Sequence, residues 1–215
     1  MGDRVKITGK RSLSSRLWLD RQRRDLYVKQ ARREGYRSRA VFKLMEMDDK
    51  FHLTKNAKTI VDLGAAPGGW CQLLSERVEE DARIAAIDLV NFPSIPRVEQ
   101  FIGDFTAEEN QQKMVDYFGC KIDLVLSDMA PSSIGHPATD HQRLMNLVRG
   151  AHRFVKNVLT DRGNFITKIF QGGEEKKFFE ELREDFEKVC FFKPKSSRSP
   201  SAEIYVVALG FKKCT

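Results

Sequence analysis

Val61-Asp62-Leu63-Gly64-Ala65-Ala66-Pro67-Gly68-Gly69-Trp70 is the stretch on which the fold turns. An apolar run, in β-branched company from Thr59, stops at a cluster of small residues, and an amphipathic segment follows. Small residues let the backbone pass close to a ligand, and a strand–loop–helix of this kind opens many nucleotide-binding α/β domains. The loop departs from the dinucleotide fingerprint G-x-G-x-x-G. Gly64 is followed by Ala65-Ala66-Pro67, so the glycine that admits a pyrophosphate is missing, and Pro67 removes an amide donor. A nucleotide-containing ligand without a pyrophosphate fits better, and S-adenosylmethionine is one.

Outward from this loop, short β-branched runs alternate with longer amphipathic stretches. Strands are expected at Thr59–Leu63, Arg83–Leu89, Val98–Gly103, Ile122–Ser127, Asn164–Phe170, Lys188–Phe192 and Ala202–Leu209. Helices are expected near Trp70–Val78, Ala107–Phe118, Asp140–Leu159 and Glu174–Phe186. This is the βαβ texture of an α/β, doubly wound, Rossmann-like fold. Its sheet would have seven strands, mostly parallel with one antiparallel, and helices on both faces. Only a loop, 193–201, separates the last two strands, so they should pair antiparallel at one side. Before Lys58 the sequence predicts an irregular basic helix over Ser12–Gln30 and a second helix from Arg39 towards Phe51, capped by Ser38.

The composition suits one domain with an extension. The chain has 215 residues, 41% hydrophobic, and a net charge of +7. No run approaches the roughly 20 apolar residues of a membrane helix, and the polar, basic start lacks a signal peptide's apolar core; the expectation is a cytoplasmic protein. Cys71, Cys120, Cys190 and Cys214 are scattered, without metal-ligand spacing, so neither a metal site nor a disulfide framework is expected. The charge is concentrated. Met1 to Lys43 holds fourteen Lys or Arg against four Asp or Glu, so the remainder is slightly acidic. Residues 1–36 therefore read as a basic arm for a polyanion, and 37–215 as the catalytic domain. Arg23, Arg24, Arg32, Arg33, Arg37 and Arg39 suit phosphates, and Trp18, Tyr27 and Tyr36 either stack on bases or anchor the arm. Lys193, Lys195 and Arg198 extend the same surface from the other end.

Charged residues in apolar strands locate the chemistry. Asp88 and Asp104 end the second and third strands, where carboxylates take ribose hydroxyls and base amino groups. Ser127-Asp128-Met129-Ala130-Pro131 ends the fourth, Lys168 interrupts the fifth, and Glu203 opens the last. A buried ammonium needs a partner, so Lys168, Asp128 and Glu203 are expected to serve one another; a purely structural ion-pair network would leave the same trace. His136 and His141 read as loop histidines without a role.

These segments, with Arg37-Ser38-Arg39-Ala40-Val41-Phe42-Lys43-Leu44, Gly103-Asp104-Phe105 and Ser196-Ser197-Arg198 leading to Glu203 and Tyr205, give a sequence that resembles the FtsJ/RrmJ family of ribosomal RNA 2′-O-methyltransferases. The resemblance implies a catalytic Lys43-Asp128-Lys168-Glu203 tetrad. It also implies S-adenosylmethionine contacts at Gly64, Gly68, Trp70, Asp88, Asp104 and Asp128. The implied reaction is methylation of a uridine 2′-hydroxyl in large-subunit ribosomal RNA on the assembled subunit, by a monomer; tRNA, an mRNA cap, or a non-catalytic assembly role are the alternatives. Lys168 would act either as a neutral base or as a cation holding the oxygen in line, and the sequence does not choose between them. The loop at Arg198–Ala202 is less basic than the family pattern. If the basic residues hold roughly six phosphates, RNA affinity should fall by about a thousandfold or more between ~50 and ~200 mM salt. Filter binding across a salt series measures this, and a flat curve would contradict it.

Overall fold

The structure is a computed structural model describing residues 25–198 and 201–212. In chain order its elements are α1 (Leu26–Arg33), α2 (Val41–Phe51), β1 (Thr59–Leu63), α3 (Gly69–Arg77), β2 (Arg83–Asp88), β3 (Val98–Ile102), α4 (Glu108–Phe118), β4 (Ile122–Ser127), α5 (Pro137–Val158), β5 (Leu159–Phe170), α6 (Glu175–Asp185), β6 (Phe186–Phe192) and β7 (Glu203–Phe211). The strands form one sheet in the order β3-β2-β1-β4-β5-β7-β6. β7 is antiparallel to both its neighbours, and the other pairings are parallel. That is the expected doubly wound sheet. Its order reverses beside β1, and ligands of such sheets bind where strand order reverses, at the carboxyl ends of the strands.

Every residue of β1 is buried, as a central parallel strand covered on both faces requires. One face carries α4, α5 and α6 over a core that includes Phe105, Phe154, Phe165 and Phe178. The other carries α1, α2 and α3, with Leu44, Met47, Trp70, Leu74 and Tyr205 in its core. β3 is an edge strand and half-exposed.

Three local features differ from expectation. β5 begins at Leu159, because Leu159 already pairs with Ile122 before a register shift restores the ladder at Asn164. α5 begins three residues early: Pro137 sits in its first turn and His136 is its N-cap, accepting from Thr139 N. Ser38 does not cap α2, whose N-cap is Ala40 with no side-chain bond; Ser38 Oγ instead packs against Gly69, where a Cβ would lie 2.4 Å from it.

Of the expected N-terminal helix, residues 12–24, with Trp18, Arg23 and Arg24, lie outside the described residues. Asp25 caps α1 by accepting from Tyr27 N and Val28 N. α1 then packs on α2 through buried Ala31 and through Tyr27, whose ring centroid is 5.5 Å from that of Phe42. Tyr36 also meets Phe42 edge-on and donates to Glu76, 3.0 Å away. Both tyrosines are thus anchors between this segment and the sheet's helices.

α2 is fastened by one carboxylate. Asp48 is 5% exposed and accepts from Thr54 N (2.8 Å) and Arg77 Nη1 (2.6 Å). Leaving the half-buried Arg77 guanidinium and Thr54 amide without this partner should cost about 2 kcal/mol in Asp48→Ala. Asp49 reaches the same arginine from solvent, so Asp49→Ala should cost less than about 1 kcal/mol. Urea unfolding of the two variants makes the comparison, and equal losses would contradict the assignment.

Candidate active site

Above β1, Gly64 adopts φ +79, and a Cβ there would lie 2.8 Å from Met129 Cγ, so no side chain fits between this loop and the one after β4. Gly68, at φ +95, is the N-cap of α3. Asp88 holds the loop: its Oδ2 accepts from Ala66 N at 2.9 Å and its Oδ1 from Val90 N at 3.0 Å. Asp104 is exposed and accepts from Thr106 N and Thr106 Oγ1 through Oδ1, with no bond to Oδ2 among the described residues. Gly64, Asp88, Asp104, Asp128 and Met129 line a cavity of about 310 Å³.

A second cavity, of about 140 Å³, adjoins it on the other side of the loop and is bordered by Asp62, Ala65, Gly69 and Trp70. Asp62 is buried in β1. Cys71 Sγ donates to its Oδ2 at 3.1 Å, and its Oδ1 has no partner among the described residues. Burial, only partly offset by the Cys71 bond, pushes this carboxyl up to about 7. Trp70 borders the same cavity, but its indole Nε1 donates to Ala40 O at 2.8 Å and its ring packs 6.0 Å from that of Tyr205. The tryptophan therefore also ties α3 to α2.

The four charged residues singled out in the sequence converge at the carboxyl ends of β4 and β5. Lys168 Nζ donates to Asp128 Oδ1 at 2.8 Å and to Asp128 O at 2.5 Å. Lys43, projecting from α2, pairs with Glu203 Oε1 at 2.7 Å. Glu203 also accepts from Ser197 Oγ at 3.0 Å. The two pairs are joined by Tyr205, whose hydroxyl donates to Asp128 Oδ1 at 2.7 Å and accepts from Lys43 Nζ at 3.3 Å. The sequence named Tyr205 only as part of a motif; its alternation with Glu203 on β7, which puts both on one face, was the signal for its place in the network.

Burial pushes the Asp128 carboxyl up, but Lys168 and Lys43, with bonds from Lys168 and Tyr205, outweigh it and hold the carboxyl below the usual range. Asp128 is accordingly ionised at neutral pH. Burial and then Asp128 and Glu203 push the Tyr205 phenol well up, so it remains a donor.

Lys43 and Glu203 also line a third cavity, of about 190 Å³, with Arg39 and Arg198 at its mouth. Both arginines bond to Asp25, Arg198 through Nε at 3.0 Å, and Arg39 also reaches Ser196 O. Arg37 donates to Pro93 O and Ser94 O and so braces the loop before β3. Arg32, Arg33, Lys193 and Lys195 are exposed. Among the described residues no cluster of His, Cys, Asp or Glu has metal-ligand geometry, and no helix is long and apolar enough to cross a membrane. Cys71, Cys120 and Cys190 are free thiols.

The FtsJ-like methyltransferase family model matches residues 36–211, a span holding the glycine loop, the strand-end carboxylates and all four converging charges. The chain is 46% identical over 211 residues to the ribosomal RNA large subunit methyltransferase E of Bradyrhizobium sp. (strain ORS 278), covering 97% of this chain and 91% of the relative. It is 44% identical over 214 residues to the protein of the same name from Paramagnetospirillum magneticum, covering 97% and 88%. Among solved structures, a ribosomal RNA methyltransferase from Plasmodium falciparum superposes with a TM-score of 0.73 at 31% identity, over 82% of this chain and 98% of the other. With the family model matched over most of the chain and 46% identity over nearly its whole length, the chain belongs to the FtsJ-like methyltransferase family.

Proposed function

We propose that this protein transfers a methyl group from S-adenosylmethionine to the ribose 2′-oxygen of a uridine in large-subunit ribosomal RNA. It would act on the assembled subunit, in the cytoplasm and as a monomer. The single observation that carries the chemistry is Lys168 Nζ held by Asp128 at the carboxyl edge of the sheet. The RNA class rests on the names of the relatives.

The residues present fit the methyl donor. A zwitterionic methionine end needs a carboxylate for its ammonium, and Asp62 offers a buried oxygen with no partner among the described residues. Asp88 would take the ribose hydroxyls and Asp104 Oδ2 the adenine amino group, with Gly64 and Gly68 giving backbone access and Trp70 closing one wall. S-adenosylmethionine supplies an electrophilic methyl group on a sulfonium. The protein's part is to hold the attacking oxygen in line and favour charge on it.

Lys168 suits the cation role of the two considered. As an ammonium it has three N–H donors, two of them directed at Asp128, which leaves one for the ribose oxygen. Asp128, held below the usual carboxylate range chiefly by Lys168 and Lys43 against the effect of burial, is the anionic partner at 2.8 Å. As the O–C bond forms the sulfonium's C–S bond would break and leave a neutral thioether, and the attacking oxygen, made strongly acidic, would lose its hydroxyl proton to solvent. Lys43, fixed by Glu203 and Tyr205, would orient the target nucleotide. The exposed Arg32, Arg33, Lys193 and Lys195, with Arg37, Arg39 and Arg198 and the further basic residues of 1–36, would hold RNA phosphates.

Two outcomes are expected. Lys168→Ala should lower kcat by about a hundred- to a thousandfold or more, with the Kd for S-adenosylmethionine nearly unchanged by calorimetry; near-normal turnover would remove Lys168 from the mechanism. Tritium from labelled S-adenosylmethionine should enter large ribosomal subunits, at a ribose 2′-oxygen, and not total tRNA or capped mRNA presented in parallel. Label in tRNA or cap alone would keep the chemistry and change the substrate, and no label with cofactor binding intact would favour a non-catalytic assembly role.

A further inference from the structure

A fourth cavity, of about 670 Å³, is unused by the chemistry above. It lies between the first turns of α5, the Phe170–Gly172 turn after β5 and the start of β7. Ser201 lines both this cavity and the basic one over Lys43 and Glu203, so the two meet at a common wall. Phe170, on the new cavity, is the ladder partner of Glu203, and Gln171 N donates to Ala202 O at 2.9 Å. A strand of RNA leaving the basic cavity across the sheet edge would reach this space next.

The two cavities differ in chemistry. The basic one presents Arg39, Lys43 and Arg198. Among the described residues lining the larger one there is no lysine or arginine, and there are two carboxylates, Asp140 and Glu174. Such a lining repels phosphate and accepts a neutral heterocycle. Asp140 is engaged with Ser133 Oγ and Ile134 N, and Glu174 with Arg149. The groups left to read a ligand are Gln142, Gln171 and His141, with Phe170 as an apolar wall.

His141 is the informative residue. It is not a solvent-loop histidine: it lies in the first turns of α5, and both ring nitrogens are buried without a hydrogen-bond partner among the described residues. A buried polar group without a partner is costly and marks a place where a ligand group is awaited. The ring sits beneath Gly172, where a Cβ would lie 2.7 Å from His141 Nδ1. Gly172 is followed by Gly173 at φ +109, a pair whose small size and backbone freedom let the turn shift and admit a base edge to the ring.

We infer that this cavity takes an unstacked base of the RNA, neighbouring the methylated ribose, and that His141 hydrogen-bonds its edge and so helps to determine which nucleotide is presented to Lys168. Proteins that read single-stranded RNA splay bases into such pockets, combining a ring face with hydrogen bonds to base edges. The inference rests on the RNA 2′-O-methyltransferase reading, and the experiment separates the two.

Steady-state methyl transfer is measured on large ribosomal subunits lacking the modification, for wild type, His141→Phe, His141→Gln and Gly172→Ala, with Kd for S-adenosylmethionine and Tm recorded for each. His141→Phe keeps a planar ring, somewhat larger, and removes its hydrogen bonds; it should raise KM for subunits about tenfold while kcat stays within about twofold and cofactor Kd is unchanged. Gly172→Ala, which displaces the ring, should do the same, and His141→Gln, which keeps a donor and acceptor, should recover most of the loss. Unchanged KM in His141→Phe and Gly172→Ala beside an active wild type would overturn the base pocket and leave the function standing. Parallel loss of KM, kcat and cofactor binding would also overturn it, since the ring would then be supporting the fold. A wild type that transfers nothing to ribosomal RNA would overturn the functional reading and the pocket with it.

Discussion

A lysine cannot lie in the middle of an apolar strand unless its charge is answered, and in this protein the answer to Lys168 organises the edge of the whole sheet. Asp128 supplies both a carboxylate oxygen and its backbone carbonyl. Asp128 is half-buried in turn, and Lys168, Lys43 and the bond from Tyr205 together hold its carboxyl below the usual range. Removing one partner would leave an uncompensated charge in a low-dielectric setting, which costs far more than the pair itself contributes. The network is therefore held together by the penalty for taking it apart, and that rigidity gives a stationary donor at the point where an attacking oxygen would be aligned.

Topology makes this arrangement reachable. β7 inserts antiparallel between β5 and β6, so its first residues arrive beside the last residues of β5. Phe170 is thereby set opposite Glu203 and Lys168 opposite Tyr205. A parallel β7 would have delivered its other end to this edge. Lys43 comes from the opposite direction, on a helix that precedes the sheet and is clamped to α3 by Asp48, Arg77 and the Trp70–Ala40 bond.

The same edge divides into regions of different charge. Carboxylates around the glycine loop suit the hydroxyl, amino and ammonium groups of a nucleoside-like donor. Arginines held by Asp25 make the mouth over Lys43 basic, and Glu46, accepting from Lys195 N at 2.6 Å and Ser196 N at 2.8 Å, fixes the segment that carries Arg198. Beyond Ser201 the lining turns neutral to acidic. A polyanion with planar, neutral bases meets matching chemistry at each step. The electrostatic term would set how strongly it binds, and the neutral pocket which base is read.

By itself the sequence determined the doubly wound sheet, because short β-branched runs alternating with amphipathic stretches admit few other arrangements, and it determined the tight glycine loop after β1, because Gly64 to Gly69 permits a close backbone approach that larger residues would block. It also marked Asp128, Lys168 and Glu203, since charges in apolar strands are conspicuous, and through the family resemblance Lys43. Who pairs with whom was decided only by tertiary structure: partners 40 and 160 residues apart in the chain are chosen by strand order and register, which local pattern does not encode. The same holds for Tyr205 as the bridge, for Tyr27 and Tyr36 as anchors, and for Arg37 and Arg39 as braces of neighbouring loops, because an aromatic or basic residue reads alike in sequence whether it faces a base, a phosphate or a carbonyl. His141 is the clearest case. In the sequence it is one histidine after a loop, and only packing beneath Gly172 leaves its two nitrogens buried without a partner among the described residues.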